Sequence, residues 1–182
     1  MPNDVTIFAA SYLVFIDAVL CIGILVLTLY GKPRLVLLKW AIATLIALVL
    51  SYGLAKLGAA LYSDPRPFTQ DHVKPLIAHA ADNGFPSDHA LLAAALVAIL
   101  VVAGTRWAVV AAAIAILVDC ARVGAGIHHV VDVLGSTLFV ALALLIALLV
   151  AGPIANRVDS LLPRRSDRTK IVGGAERGPS AG

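Results

Sequence analysis

The sequence predicts an all-α protein, a polytopic membrane helical bundle of about five transmembrane helices, or six if a polar connection adds one. Composition is the first reason. Of 182 residues, 60% are apolar and 14% are charged, against about 45–50% apolar and about 25% charged in soluble domains. The second is patterning: five stretches approach or exceed the ~20 residues needed to cross ~30 Å of hydrocarbon as a helix. The third is size, because a chain this short cannot enclose so much apolar surface in its own core. An ordinary cytoplasmic globule and a disordered chain are excluded.

The apolar runs cover residues 6–30, 35–62, 90–103, 107–120 and 133–151. The N-terminus lacks a basic leader region, and its first run is too long for a signal-peptide core, so that helix is expected to stay in the protein. The third and fourth runs are short and need the polar residues beside them to complete a helix. Gly104, Thr105 and Arg106 between them are tight enough to force an antiparallel pair. Polar connections fill 63–87 and 122–132. Residues 1–156 read as one transmembrane domain, and 157–182 as a flexible basic tail rich in glycine. Cys21 and Cys120 lie inside apolar runs and read as small core residues rather than a disulfide or metal pair.

Five spans put alternate connections on the same side. One side receives Lys32, Arg34, Lys39, Arg106 and the basic residues from Arg157 onward, ten of the 14 lysines and arginines. That side is cytoplasmic by the retention of basic loops, and Trp40 and Trp107 fit its interfacial belt. All five histidines, His72, His79, His89, His128 and His129, fall in or beside the two outward connections. A preference of histidine for loops over lipid does not explain their absence from the inner loops and tail.

Chemistry concentrates in those connections. The first contains Asp64-Pro65-Arg66-Pro67-Phe68 and ends in Pro86-Ser87-Asp88-His89; the second runs from Arg122 through His128 and His129 to Asp132. Ionisable groups at membrane depth are costly and are functional candidates. Guanidinium groups match phosphate oxygens in pairs, and histidine serves as nucleophile or general acid near neutral pH. Ser87 is placed to cap a helix with Asp88 in its first turn, leaving free N–H groups for an anion. His128 and Asp132 are four apart and would share a helical face, with the carboxylate holding one ring nitrogen. Each motif alone is equally an ordinary cap or an ordinary i,i+4 contact. Their joint occurrence on one side favours a phosphate site.

The chain resembles the type 2 phosphatidic acid phosphatase superfamily, whose tripartite pattern is K-x6-R-P, P-S-G-H and S-R-x5-H-x3-D. Pro86-Ser87-Asp88-His89 stands for the second element, and Arg122, His128 and Asp132 keep the spacing of the third. Asp88 before His89, together with Pro65-Arg66-Pro67-Phe68 and Ile77-Ala78-His79-Ala80-Ala81-Asp82, is most similar to bacitracin-resistance-type undecaprenyl-diphosphate phosphatases. The resemblance implies that His128 is a nucleophile forming a phosphohistidine, that Asp132 orients it, and that His89 is the general acid. It implies phosphate binding by Arg66, Arg122 and Ser87, with Lys56 and Asp88 as further candidates, and no metal or cofactor.

Departures from the pattern are local. Lys56 precedes Arg66 by ten positions instead of seven, with Ala59 in the expected place, an offset of nearly one helical turn that snorkelling can span. Ala121 replaces the usual serine, His129 an aromatic and Val130 a proline. Asp119 is a candidate brace for Arg122, Asp17 is an acid inside the first span, His72 and Lys74 are candidates for a second phosphate, and His79 has no assigned step. The expected activity is hydrolysis of undecaprenyl or another polyprenyl diphosphate at the outer face of a bacterial inner membrane, recycling the cell-wall lipid carrier. Partners are then the lipid substrate and membrane lipids, with no nucleic acid. The alternatives are a broader lipid phosphate phosphatase (phosphatidate or phosphatidylglycerophosphate) and, in a different class, a non-catalytic membrane scaffold or transporter.

Overall fold

Apolar runs bounded by Pro33, by the Ser87 cap position and by Gly104 become helices in a computed structural model that describes residues 2–71 and 73–162. His72 and residues 163–182, most of the expected tail, lie outside the described residues. The helices are α1 (Pro2–Leu29), α2 (Arg34–Leu61), a single turn α3 (Pro67–Gln70), α4 (Asp88–Val102), α5 (Ala108–Gly124) and α6 (Val130–Leu161). Among the described residues no strand forms; Pro65 and Asn83 make one isolated antiparallel bridge. Three helices, α1, α2 and α6, are long and apolar enough to cross a membrane. Helix α4, with 15 residues, and α5, with 17, are shorter. Polar motif residues extend them as expected, α4 opening on Asp88 and His89 and α5 running through Arg122 to Gly124, but both stay shorter than a full span. Helix α6 passes Arg157, where the tail was expected, and continues to Leu161.

Alanine rather than leucine fills the interior. Helix α2 buries Ala43, Ala47, Ser51 and Ala55, four residues apart, and α6 buries Ser136, Val140, Ala143, Ala147, Ala151 and Ala155. Small residues repeating on one face let two backbones approach closely, which is how helices associate without a hydrophobic drive between them. The bulky side chains, among them Leu27, Leu45, Val49, Ile116, Leu138 and Leu149, face outward, as lipid contact allows. Cys21 is buried in the contact of α1 with α4 and α5, whereas Cys120 is exposed; the expectation that both are core residues fails for Cys120, because α5 turns that face outward.

The Gly104 turn adopts φ +69°, a left-handed conformation that glycine accepts readily, and reverses the chain between α4 and α5 as expected. Packing of Ala10 near Ala121, and of Cys21 near Ala111, makes α1 and α5 antiparallel. The N-termini of α1, α4 and α6 and the C-termini of α2 and α5 therefore share one end of the bundle. The two polar connections meet there. Arg34 and Asp159 face each other at 3.9 Å at the opposite end.

Candidate active site

Helix α4 is docked onto the start of α6 through Ser87. The Ser87 N–H donates to the Asp132 carbonyl at 3.3 Å, and Ser136 Oγ donates to the Ser87 carbonyl at 2.8 Å. Ser87 occupies the cap position with extended backbone angles, but its side chain makes no capping bond. Its Oγ is buried without a hydrogen-bond partner. The capping role expected from sequence is thus positional only, and the hydroxyl remains available to a ligand.

Asp132 sits at the third position of α6, where it accepts the His129 N–H at 2.9 Å. The same Oδ2 lies 3.1 Å from His128 Nδ1. The expected His128–Asp132 pair is therefore formed, though not along a helical face: His128 precedes the His129 cap and reaches the carboxylate from the turn. Since the carboxylate can only accept, Nδ1 carries the hydrogen and Nε2 is left as the lone-pair nitrogen. That turn is made possible by Gly126 at φ +70°.

Two guanidinium groups converge on this nitrogen. Arg66 Nη1 and Arg122 Nη2 each lie 3.3 Å from His128 Nε2. Both arginines are 5% exposed, and each is held by a protein acceptor. Arg66 Nε donates to Asp82 at 2.7 Å and its Nη1 to the Ile127 carbonyl at 2.9 Å. Arg122 Nη1 donates to the Ala10 carbonyl of α1 at 3.2 Å. The brace of Arg122 is that carbonyl rather than Asp119, whose Oδ1 has no hydrogen-bond partner. His79 Nε2 lies 3.5 Å from Arg122 Nη2, and its ring meets that of His128 edge-on at 6.2 Å.

Burial shapes the electrostatics. Desolvation, reinforced by Arg122 and Arg66, holds the His128 imidazole below its ordinary value despite Asp132. Burial and the neighbouring Arg66 lower His79 likewise. The hydrogen bond from Arg66 lowers the Asp82 carboxyl. His89, in the first turn of α4, packs edge-on against Phe15 at 6.1 Å. It lies within electrostatic range of Arg122, His128, Asp88 and His79.

The structure thus brings Arg66, Arg122, His128 and Asp132 together, with Ser87 and His89 alongside. Lys56 and Asp88 instead line a neighbouring cleft of about 190 Å³ with Asn83, Phe85 and Pro86, and the Lys56 ammonium rests over the Tyr52 ring at 5.2 Å. Asp17 lies along α1 beyond Phe15, bonded to Cys21 rather than to any of these residues. Sequence reasoning missed Ser136 and Asn83, and gave no role to Asp64 or Asp82. Asn83 accepts the N–H of Asp64 at 2.9 Å and of Phe85 at 3.0 Å, tying the long connection to itself. Gly84 lies so close that a Cβ would meet Asp132 Oδ2 at 3.0 Å and the Asp64 carbonyl at 3.1 Å. None of these residues shows a sequence period; each works through a partner distant in the chain.

An anion suits this floor. Ser87 Oγ and Arg122 Nε are buried without partners, and the α4 amides open beside them. For a cation, Asp64, His129 and Asp132 offer atoms within 4.8 Å of one another. One of these contacts is of hydrogen-bond length, His129 Nδ1 lying 2.9 Å from Asp64 Oδ2. Ligands spaced around a zinc at ~2.0–2.2 Å sit farther apart than that, so a proton fits the gap better.

Comparison with known proteins agrees with the motif reading. Residues 37–156 match the PAP2 superfamily. The "Bacitracin transport permease protein BcrC" of Bacillus licheniformis is 33% identical over 145 residues, covering 76% of this chain and 66% of that protein. The "Undecaprenyl-diphosphatase BcrC" of Bacillus subtilis (strain 168) is 32% identical over 138 residues, covering 74% and 67%. The chain therefore spans about two thirds of the length of these relatives. No solved structure matches it significantly.

Proposed function

The chain belongs to the PAP2 superfamily, and from that premise we propose that it is a membrane lipid phosphatase hydrolysing undecaprenyl, or another polyprenyl, diphosphate. The products are the lipid monophosphate and inorganic phosphate. One observation carries the reading: His128 Nε2 presents its lone pair 3.3 Å from both guanidiniums, while Nδ1–H is fixed on Asp132. Phosphate oxygens paired with Arg66 and Arg122 would bring phosphorus to that nitrogen.

The chemistry proceeds in two displacements. His128 Nε2 attacks the terminal phosphorus, the bond to the bridging oxygen breaks, and His89 gives that oxygen its proton. The imidazole becomes a phosphohistidine whose charge Asp132 offsets. Water then attacks the same phosphorus, His89 takes the proton, and the P–N bond breaks to release phosphate. Positioning and fixed positive charge are the main devices for a transferring phosphoryl group. Ser87 and the α4 amides add donors where charge develops.

A transport role, the one in the name of the B. licheniformis relative, needs no oriented imidazole. The His128–Asp132 pair therefore favours hydrolysis. The site faces outward in a bacterial inner membrane in this reading, supported by Lys32, Arg34, Lys39, Arg106 and Arg157 at the opposite end of the described bundle. Lys74→Cys in a Cys120→Ser background should react with an impermeant thiol reagent outside intact spheroplasts, and Ser160→Cys only after the membrane is opened. The deciding assay is phosphate release by purified protein from undecaprenyl diphosphate, phosphatidate and phosphatidylglycerophosphate in one detergent. The expected result is the highest kcat/KM for the polyprenyl diphosphate. Equal or faster hydrolysis of the glycerophospholipids moves the reading to a broader phosphatase, and no release from any of them rejects it.

A further inference from the structure

His129 adjoins the nucleophile yet takes no part in the displacement. Its ring bridges two carboxylates, Nδ1 lying 2.9 Å from Asp64 Oδ2 and Nε2 3.1 Å from Asp71 Oδ2. Carboxylates only accept, so both ring nitrogens are satisfied when both carry hydrogen. Neither is then free to attack, which separates His129 from His128. Asp64 in turn lies against Asp132: the two side chains interact directly, with ligand atoms of both and of His129 within 4.8 Å. These carboxylates are 9% and 0% exposed. Two anions so close and so dry repel strongly, and one proton between them removes the conflict. One Asp132 oxygen, Oδ1, still lacks a donor.

We propose that Asp64 and His129 are positioning residues behind the nucleophile: Asp64 carries a proton shared with Asp132, and the His129 imidazolium clamps Asp64 while anchored on Asp71. This deepens the lipid phosphatase reading and rests on it for its catalytic consequence. The layer runs Asp71, His129, Asp64, Asp132, His128. It leaves a single negative charge on Asp132, directed at the His128 Nδ1–H, and holds that charge as the ring is phosphorylated. No proton leaves the layer during turnover.

The charged surroundings agree. Burial and the Asp132 charge raise the Asp64 carboxyl above its ordinary value. Burial disfavours the His129 charge, but the bonds to Asp71 and Asp64 outweigh it and raise His129. The groups facing the layer are Asp71 after α3, Asp132 and His128 at the start of α6, and Arg66 before α3. The 83–84 turn bonds only the Asp64 backbone and adds no charge. Both directions favour the proton that the proposed layer holds on Asp64 and on His129.

The test measures two things: kcat on whichever lipid phosphate the wild type hydrolyses, and carbethoxylation of His128 by diethyl pyrocarbonate against pH, read by peptide mass spectrometry. The second needs no substrate, so it judges the layer even where the lipid phosphatase reading fails. Asp64→Ala and His129→Gln should lower kcat about tenfold to a hundredfold with KM little changed, as misplaced catalytic groups do. Asp64→Asn, whose amide N–H stands in for the shared proton, should stay within about threefold of wild type. The pH profile of the wild-type His128 rate should carry an Asp64 ionisation that Asp64→Asn lacks. Equal losses in Asp64→Asn and Asp64→Ala would overturn the proposal. So would the same ionisations in wild type and Asp64→Asn, a comparison that stands even where Asp64→Ala does not fold.

Discussion

Asp132 and Asp17 are buried alike, 0% and 1% exposed, and each has one carboxylate oxygen without a hydrogen-bond partner. Their surroundings differ in kind. Asp132 stands in the first turn of α6, where the helix end leaves N–H groups unspent, the connections deliver His128 and Arg66, and the end of α5 delivers Arg122. Asp17 stands in the middle of α1, where the backbone bonds itself. The Cys21 thiol donates to it at 3.7 Å, and it borders an apolar cavity of about 450 Å³ that includes Leu20, Ile24, Val110 and Ile114. Burial of a carboxylate in a membrane bundle is therefore not a signature of chemistry by itself. The helix end supplies oriented donors and lets loops bring cations; the mid-span position does neither.

The widest gap between the two regions should appear at the nucleophile. His128→Ala should lower turnover by at least about 10³-fold while the protein stays folded in the membrane, because no other group holds the attacking nitrogen. Labelled phosphate should be trapped on His128 in acid-labile form, and near-normal turnover without it would erase the distinction between the two regions. Arg66→Ala and Arg122→Ala should each cost about 10²–10³-fold in kcat/KM, the scale of losing a preorganised charged donor. Lysine at either position should restore only part, since it lacks the fork that serves His128 and an acceptor together.

A pH profile sharpens the contrast further. His128 must be neutral to attack, and its burial, with Arg122 and Arg66 nearby, lowers its pKa. The neutral form then persists below the ordinary imidazole value of about 6.5, so the acid limb of kcat/KM should fall below that pH. A limb above it would mean that Asp132 outweighs burial. Ser87→Ala removes one neutral hydroxyl and should cost about fivefold in kcat/KM, near 1 kcal/mol. The smallest effect belongs to the other carboxylate. Asp17→Asn keeps the shape of α1 and touches no reacting group, so phosphate release should remain within about twofold of wild type and thermal stability should not fall. A large loss of activity there would show that the mid-span region is coupled to the site.

Local sequence carries the membrane class, the long helices α1, α2 and α6, the antiparallel α4–α5 pair and the clustering of ionisable residues at one end. These follow from local quantities: apolar run length, glycine at a turn, and the costs of charge in lipid. The spacing of Arg122, His128 and Asp132 also announced the nucleophile pair, because the three are near neighbours in the chain. Only the tertiary structure decided what holds them. Arg66 reaches His128 across 62 positions and Arg122 reaches Ala10 across 112, and no local pattern encodes such contacts. It also decided that Cys120 faces outward, that Ser87 docks on α6 instead of capping with its hydroxyl, that Lys56 turns to a neighbouring cleft, and that Asp64 stands behind Asp132. The physical reason is that helix formation is governed by residues within a turn of one another, whereas a polar site in a dry bundle is settled by which distant donors and acceptors can satisfy each other.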